Sequence, residues 1–260
     1  MQAMNQKTIL PIQLSPIGFG AYQIGHKMVE KYASFGKPLP SDSEAESLLH
    51  GVLDLGITLI DTAPAYGCSE ERIGKYLNER RDEYNLCTKV GELNVDGKST
   101  FDFTSQGMRR SVEQSLRLLK TECLDALLIH APPDDFSILQ HSDAVEMMHL
   151  FRDEGKTKTI GFSGNSIEAQ EEALSWSDIM MVEYSKANET NEPIIRKADE
   201  KGVVVLIKKA LNSGHLPGSI AIEFLSKKSH LRNMLHCTVI GSSTIGRMRE
   251  NVETFKVQES

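Results

Sequence analysis

Four side chains of complementary chemistry stand at or just beyond the ends of short apolar runs. The carboxylate Asp61 follows Thr58–Ile60, Lys89 follows Asn85–Thr88, and His130 follows Ala126–Ile129. The phenol Tyr66 lies in the polar segment that begins at Asp61. Together these types suit proton donation. A free tyrosine has a pKa of about 10. A neighbouring ammonium favours the phenolate and lowers that value, and a carboxylate paired with the ammonium keeps it in place. Such a phenol can protonate a developing alkoxide and be re-protonated near neutral pH. Taken singly, each residue has a plain structural reading: the histidine as a satisfied polar group, the lysine as a rim charge, the aspartate as a cap for the following loop. Their joint occurrence at three neighbouring strand ends points to a site. A metal centre on Asp61 and His130 would need a third ligand, and no second His or Glu follows at a matching strand end.

The elements that must position these groups repeat one theme, a short apolar run followed by an amphipathic stretch. The runs predicted as strands are Ile17–Gln23, Thr58–Ile60, Asn85–Thr88, Ala126–Ile129, Thr159–Ser163, Ile179–Val182, Val203–Lys208 and Thr238–Ile240. Helical spacing is predicted over Ser43–Leu55, Ser105–Lys120, Leu139–Glu154 and Ile194–Lys201, with starts signalled by Ser43 with Glu46 and by Ser69 with its acidic neighbours. Alternating strands and helices imply parallel pairing through right-handed crossovers. About eight units close into an α/β single (β/α)8 TIM barrel, one domain over residues 1–260. An open doubly wound sheet would want a G-x-G-x-x-G turn, and Gly18-Phe19-Gly20 has no third glycine in register. The longest loops, Gly25–Ser41 and Gly91–Thr104, both follow strands, where a barrel builds its active face. The stretch from Asn212 to Cys237 is short, so little decoration is expected there.

Composition narrows the partners. The chain has 260 residues, 40% hydrophobic and 25% charged, with a net charge of −7. An acidic surface repels phosphate backbones, so nucleic acid is not expected as a partner. No apolar stretch is long enough to span a bilayer, and the N-terminal residues lack the apolar core of a signal peptide. Cys68, Cys87, Cys123 and Cys237 fit neither a disulfide framework nor a zinc site. The expected compartment is the cytoplasm, with these thiols reduced.

Particular strings carry a resemblance. Asp61-Thr62-Ala63-Pro64-Ala65-Tyr66-Gly67 with Ser69-Glu70-Glu71-Arg72-Ile73-Gly74 resembles the active-site segment of the aldo-keto reductase family. Leu86–Val90 resembles its third-strand lysine motif, Ser111–Leu119 its third helix, Leu124–His130 its fourth strand, and Gly155-Lys156 with Ile160–Ser163 the run into its fifth. The resemblance covers essentially the whole chain, in order. It implies a catalytic tetrad of Asp61, Tyr66, Lys89 and His130 and a nicotinamide cofactor across the barrel mouth, with NADPH preferred and no metal. It implies hydride transfer to the carbonyl carbon of a small-molecule substrate. Tyr66 would then protonate the oxygen, His130 orient the carbonyl, and Lys89, paired with Asp61, tune Tyr66.

The resemblance also implies cofactor contacts. Ala21, Ser163, Asn165, Met181 and Lys208 would line the nicotinamide site, with Ser163 and Asn165 on the carboxamide. Leu211, Asn212 and Ser213 would cradle the pyrophosphate. Ser242, Thr244, Arg247 and Asn251 would grip the adenosine phosphate end. Arg247 has independent support, because a cation in the first turn of a helix opposes the macrodipole unless an anion binds there; the plain alternative is a solvated arginine beside Arg249. Tyr22 stands where the family often has Trp on the substrate side. Three positions depart from the family pattern: Met181 replaces a Gln, Lys208 an aromatic ring that stacks on the nicotinamide, and Gly241 a basic residue beside the adenosine phosphate. Two other function classes remain: a non-catalytic, cofactor-binding regulatory or redox-sensing subunit, and a metal-dependent barrel hydrolase.

Overall fold

The computed structural model describes residues 7–9, 12–25, 38–95, 98–231 and 233–259. The strands are β1 Lys7–Ile9, β2 Ile12–Leu14, β3 Ile17–Gly20, β4 Leu59–Asp61, β5 Asn85–Val90, β6 Glu92–Val95, β7 Lys98–Phe101, β8 Leu124–His130, β9 Thr157–Ser163, β10 Ile179–Glu183, β11 Val204–Lys208 and β12 Cys237–Gly241. The helices are α1 Tyr22–Gly25, α2 Asp42–Asp54, α3 Ser69–Tyr76, α4 Ser105–Leu119, α5 Asp135–His141, α6 Ala144–Asp153, α7 Ile167–Ala173, α8 Glu192–Glu200, α9 Gly218–Lys227 and α10 Ile245–Glu259. Eight parallel strands close into a barrel in the order β3-β4-β5-β8-β9-β10-β11-β12. This is the TIM barrel that the alternation predicts.

Strand periodicity sorts the side chains. Successive residues of a strand face opposite sides. On β8, Leu127 and Ile129 join the cluster shared with the helices, while Ala126 and Leu128 join the cluster inside the barrel. The same phase puts Leu59, Cys87, Ile179, Met181, Val204, Leu206 and Cys237 inside. The hairpin of β1 and β2 adds Ile12 and Leu14 to this inner cluster. Its backbone is tied to the strand starts, with Thr58 Oγ1 and Asn85 Nδ2 both donating to Gln13 O. The hairpin therefore stops the N-terminal end, and an opening is left at the C-terminal end.

Several boundaries differ from expectation. The first strand ends at Gly20 rather than Gln23, because Tyr22–Gly25 turns into α1. The capping box of α2 is Ser41 with Glu44, two residues before the expected Ser43 with Glu46: Ser41 N donates to Glu44 Oε2 and Glu44 N to Ser41 Oγ. Ser69 does not cap α3; Cys68 is the N-cap and makes no side-chain cap bond. The single helix expected over Leu139–Glu154 is two, because Ser142 adopts an extended conformation and its hydroxyl donates to Ile138 O. The loop expected over Gly91–Thr104 contains the antiparallel hairpin β6–β7, in which Glu92 faces Phe101 and Val95 faces Lys98. The stretch from Asn212 to Cys237 carries α9 and the short turn Ser229–Leu231. Most of the loop expected over Gly25–Ser41, residues 26–37, lies outside the described residues, as do Asp96 and Gly97. Among the described residues no helix is long and apolar enough to cross a membrane.

Candidate active site

The inward phase of the barrel carries polar residues at its last turn. Asp61, Lys89, His130 and Lys208 each stand two positions beyond an inner-cluster residue of the same strand, Leu59, Cys87, Leu128 and Leu206, so they face the mouth, and Ser163 at the end of β9 joins them there. They line a cavity of 540 Å³ with Tyr22, Tyr66, Asn165, Met181, Leu211 and Ser213.

Lys89 and Asp61 form its buried base. Lys89 Nζ donates to Asp61 Oδ1 at 2.5 Å and to Thr62 O at 2.8 Å. Lys89 is 1% exposed and Asp61 4%. Burial works against the Lys89 charge, but Asp61 and the Tyr66 phenol favour it, and the net effect raises its pKa above the usual lysine range. Lys89 is therefore a permanent cation at working pH. Its ammonium lies 5.0 Å from the centre of the Tyr66 ring. That ring also meets Tyr22 edge-on at 5.0 Å and His130 at 6.0 Å.

A turn and a packed helix end place Tyr66. After β4 the chain forms the single turn Pro64–Tyr66, with Pro64 supplying a fixed φ at its start. Ser69 Oγ donates to Ala21 O and pairs with Thr62 Oγ1. Arg72 Nη1 donates to Ile24 O. Gly25 allows the end of α1 to pack against the Tyr66 turn and the start of α3, since a Cβ there would lie 2.0 Å from Tyr66 O and 2.4 Å from Ser69 N. Below, the buried Glu70 accepts from Thr88 Oγ1 and Ser115 Oγ, and burial pushes its pKa up to about 7.

Lys208 reaches inward. Its Nζ donates to Ser163 Oγ at 3.1 Å and Gly164 O at 2.9 Å. Burial lowers its pKa first, with Lys209 and Lys89 adding to the fall and Glu183 and Asp61 opposing it; the net value is about 7. The loop after β11 has left-handed backbone at Lys209, Asn212, Ser213 and Gly214. Non-glycine residues in that region cost roughly 1–2 kcal/mol each, and such strain gathers at functional sites. Successive amides in this conformation form a concavity suited to an anion.

Not every expected contact residue reaches the cavity. Ala21 is buried scaffold: its N–H donates to Asp61 O and its carbonyl accepts from Ser69. Asn212 and Thr244 are exposed and off the cavity wall, and Arg247 is exposed in the first turn of α10. Ser242 is buried and folds back, its hydroxyl donating to Thr244 O. Asn251 is buried against the start of α9, where a Cβ on Gly218 would lie 1.8 Å from its Oδ1. Other wall residues escaped the sequence reading: Glu92, Asn94, Ser99 and Phe101 from the β6–β7 hairpin. A signal for them existed, because Asp96-Gly97 is a dipeptide favoured in two-residue hairpin turns. Among the described residues no group of three or more His, Cys, Asp or Glu side chains is gathered to hold a metal.

With this geometry in view, comparison with known proteins identifies the family. The model of the aldo/keto reductase family matches residues 16–233. The chain belongs to the aldo/keto reductase family. Family membership extends to similar individual proteins. "Aldo-keto reductase YhdN" of Bacillus subtilis is 31% identical over 232 residues, 85% of this chain and 66% of that protein. A Pseudomonas "D-threo-aldose 1-dehydrogenase" is 29% identical over 66% of this chain and 56% of its own length. This family member thus spans about two thirds or less of those relatives. A crystal structure of a candidate aldo-keto reductase from Pseudomonas aeruginosa matches with a TM-score of 0.87 and 32% identity, covering 98% of this chain and 95% of that one.

Proposed function

We propose that this member of the family is a nicotinamide-dependent oxidoreductase, acting as one barrel domain, that reduces an aldehyde or ketone to an alcohol with Tyr66 as proton donor. One observation carries the reading: the buried Lys89 cation, fixed by Asp61, stands beside the Tyr66 ring. An ammonium there favours the phenolate and lowers the energy of proton release. The residues present suit the cofactor. Ser163 and Asn165 offer amide partners, and the left-handed loop at Asn212–Gly214 suits a diphosphate. When bound, the cofactor supplies the hydride. Tyr66 gives its proton to the carbonyl oxygen, Lys89 stabilises the phenolate left behind, and His130, edge-on to the Tyr66 ring at 6.0 Å on the same cavity wall, is placed to orient the carbonyl. A reduced compartment such as the cytoplasm suits the four free cysteines. The test is consumption of NADPH by purified protein across a panel of aldehydes, including sugars and short oxoaldehydes. The panel follows the aldose dehydrogenase above and an Escherichia coli relative named "NADH-specific methylglyoxal reductase", 26% identical over 82% of this chain. Cofactor binding without turnover would favour the regulatory alternative.

Cofactor choice is expected to favour NADPH through Arg247, which is free to meet a 2′-phosphate at the start of α10. A charge-assisted contact is worth about 1.5–3 kcal/mol, and solvent exposure places this one at the lower end, roughly a tenfold preference. Fluorescence titration of Arg247→Ala should bring the affinities for NADPH and NADH together. An unchanged ratio would remove Arg247 as the selector.

Lys208 should bias the bound redox couple. The oxidised nicotinamide ring is cationic and the reduced ring neutral, so an ammonium at the inner wall disfavours the oxidised form by about 1 kcal/mol or less. With its pKa lowered to about 7, Lys208 carries charge below that pH and loses it above. Lys208→Met is therefore expected to tighten NADP+ relative to NADPH, more at pH ~6 than at pH ~8. Equal weakening of both at every pH would mean that Lys208 acts on the shared diphosphate instead.

A further inference from the structure

The hairpin β6–β7 brings a carboxylate to the active-site histidine. Glu92 Oε2 lies 2.7 Å from His130 Nδ1. The approach is off the line of the ring N–H, so it acts as a charge contact more than as a straight hydrogen bond. The carboxylate is itself held, since Ser99 Oγ donates to Glu92 Oε1 at 2.6 Å from the opposite strand. Both side chains are largely buried, at 19% and 16% exposure. An anionic oxygen this close to an unprotonated ring nitrogen is repelled by its partial negative charge and attracted once the nitrogen carries a proton, so the contact favours a proton on Nδ1.

We infer that Glu92 is a positioning residue which fixes the proton of neutral His130 on Nδ1 and leaves Nε2 as a proton acceptor. The inference deepens the proposed function, on which its catalytic meaning rests. Neutral His130 can then accept a proton at Nε2 from a hydroxyl, and it can donate from Nε2 to a carbonyl only after taking up a second proton. The groups facing the ring are Glu92 on β6, Tyr66 after β4, and the ammoniums of Lys89 on β5 and Lys208 on β11. Burial lowers the pKa of the ring, Glu92 opposes that, and Lys89 and Lys208 add to it, with a net fall. The neutral ring is therefore the state at neutral pH in which the tautomer matters, and Glu92 favours the charged ring over what Lys89 and Lys208 alone would allow.

The tautomer is read without turnover, by long-range proton–nitrogen NMR of the His130 ring in the full chain, cofactor-free. The expected result is the Nδ1–H form in wild type and loss of that preference in Glu92→Ala. An Nε2–H ring in wild type, or an Nδ1–H ring unchanged in Glu92→Ala, would overturn the inference. Should the alanine variant fail to fold, Glu92→Gln keeps the shape and removes the charge. The His130 titration, followed by the same spectra, is then expected to move to lower pH, and an unmoved titration would contradict the role. Because these spectra need no substrate, failure here is distinct from failure of the reductase reading. If both hold, carbonyl reduction declines with rising pH through the His130 titration, and that decline shifts to lower pH in Glu92→Gln.

Discussion

Tyr66→Phe is expected to lower kcat for carbonyl reduction by at least ~100-fold, the scale of general-acid catalysis. Melting temperature and NADPH affinity should stay near wild type. The ring makes the packing contacts, edge-on to Tyr22 and His130 and beneath the Lys89 ammonium, and phenylalanine keeps that ring. What it loses is the dissociable proton. Steady-state kinetics beside a thermal melt and a cofactor titration separate the cases. Near wild-type turnover would take the proton-donor role from Tyr66, and a fall in both melting temperature and turnover would make the residue structural.

Lys89→Met should damage both stability and chemistry. The substitution leaves the Asp61 carboxylate buried and stripped of its 2.5 Å partner, and Thr62 O loses its donor. Removing one member of a buried ion pair costs about 3–5 kcal/mol. In a chain of this size that corresponds to a fall in melting temperature of roughly 10 °C. Activity should fall with it, because the phenol loses the cation that favours its ionised form. Adding Asp61→Asn to Lys89→Met removes the unpaired charge and should recover much of the stability but none of the turnover. Calorimetry of the two variants checks this. If the single variant melts with wild type, Asp61 has found another partner, and the buried pair is not what holds the base of the site together. The raised Lys89 pKa gives this pair no pH dependence in the working range: its stabilisation is full below the unfolded lysine value and is lost only as pH rises through the higher folded value.

The barrel and the base of the site were legible in the sequence for a physical reason. Inner residues of a strand recur with period two, so Leu59 fixes the phase of Asp61, Cys87 that of Lys89, and Leu128 that of His130. Apolar periodicity therefore reports where the polar strand ends must point. Helix boundaries were less legible because single side-chain bonds decide them. Ser142 breaks a stretch whose hydrophobic spacing runs on through it, and Ser41 competes with Ser43 as a cap of the same type. The outer wall was least legible. Glu92 and Ser99 act through a hairpin whose approach to His130 depends on the fold of a loop, and a loop lacks a repeating pattern from which facing can be read. Lys208 stands at a strand end with the expected phase, but its inward bonds to Ser163 and Gly164 reach across the mouth to the end of β9, two strands away in the barrel, and could not be inferred from its own strand.

Tracing the hydride tests the central claim most directly. Purified chain is given NADPH deuterated at the hydride-bearing carbon, together with an aldehyde that it consumes or, failing that, the full aldehyde panel, and the alcohol is analysed by mass spectrometry. The account predicts a single deuterium on the former carbonyl carbon, with its appearance suppressed in Tyr66→Phe while the cofactor still binds. Cofactor bound at equilibrium with no labelled alcohol from any aldehyde in the panel, or alcohol formed without the label, would contradict it.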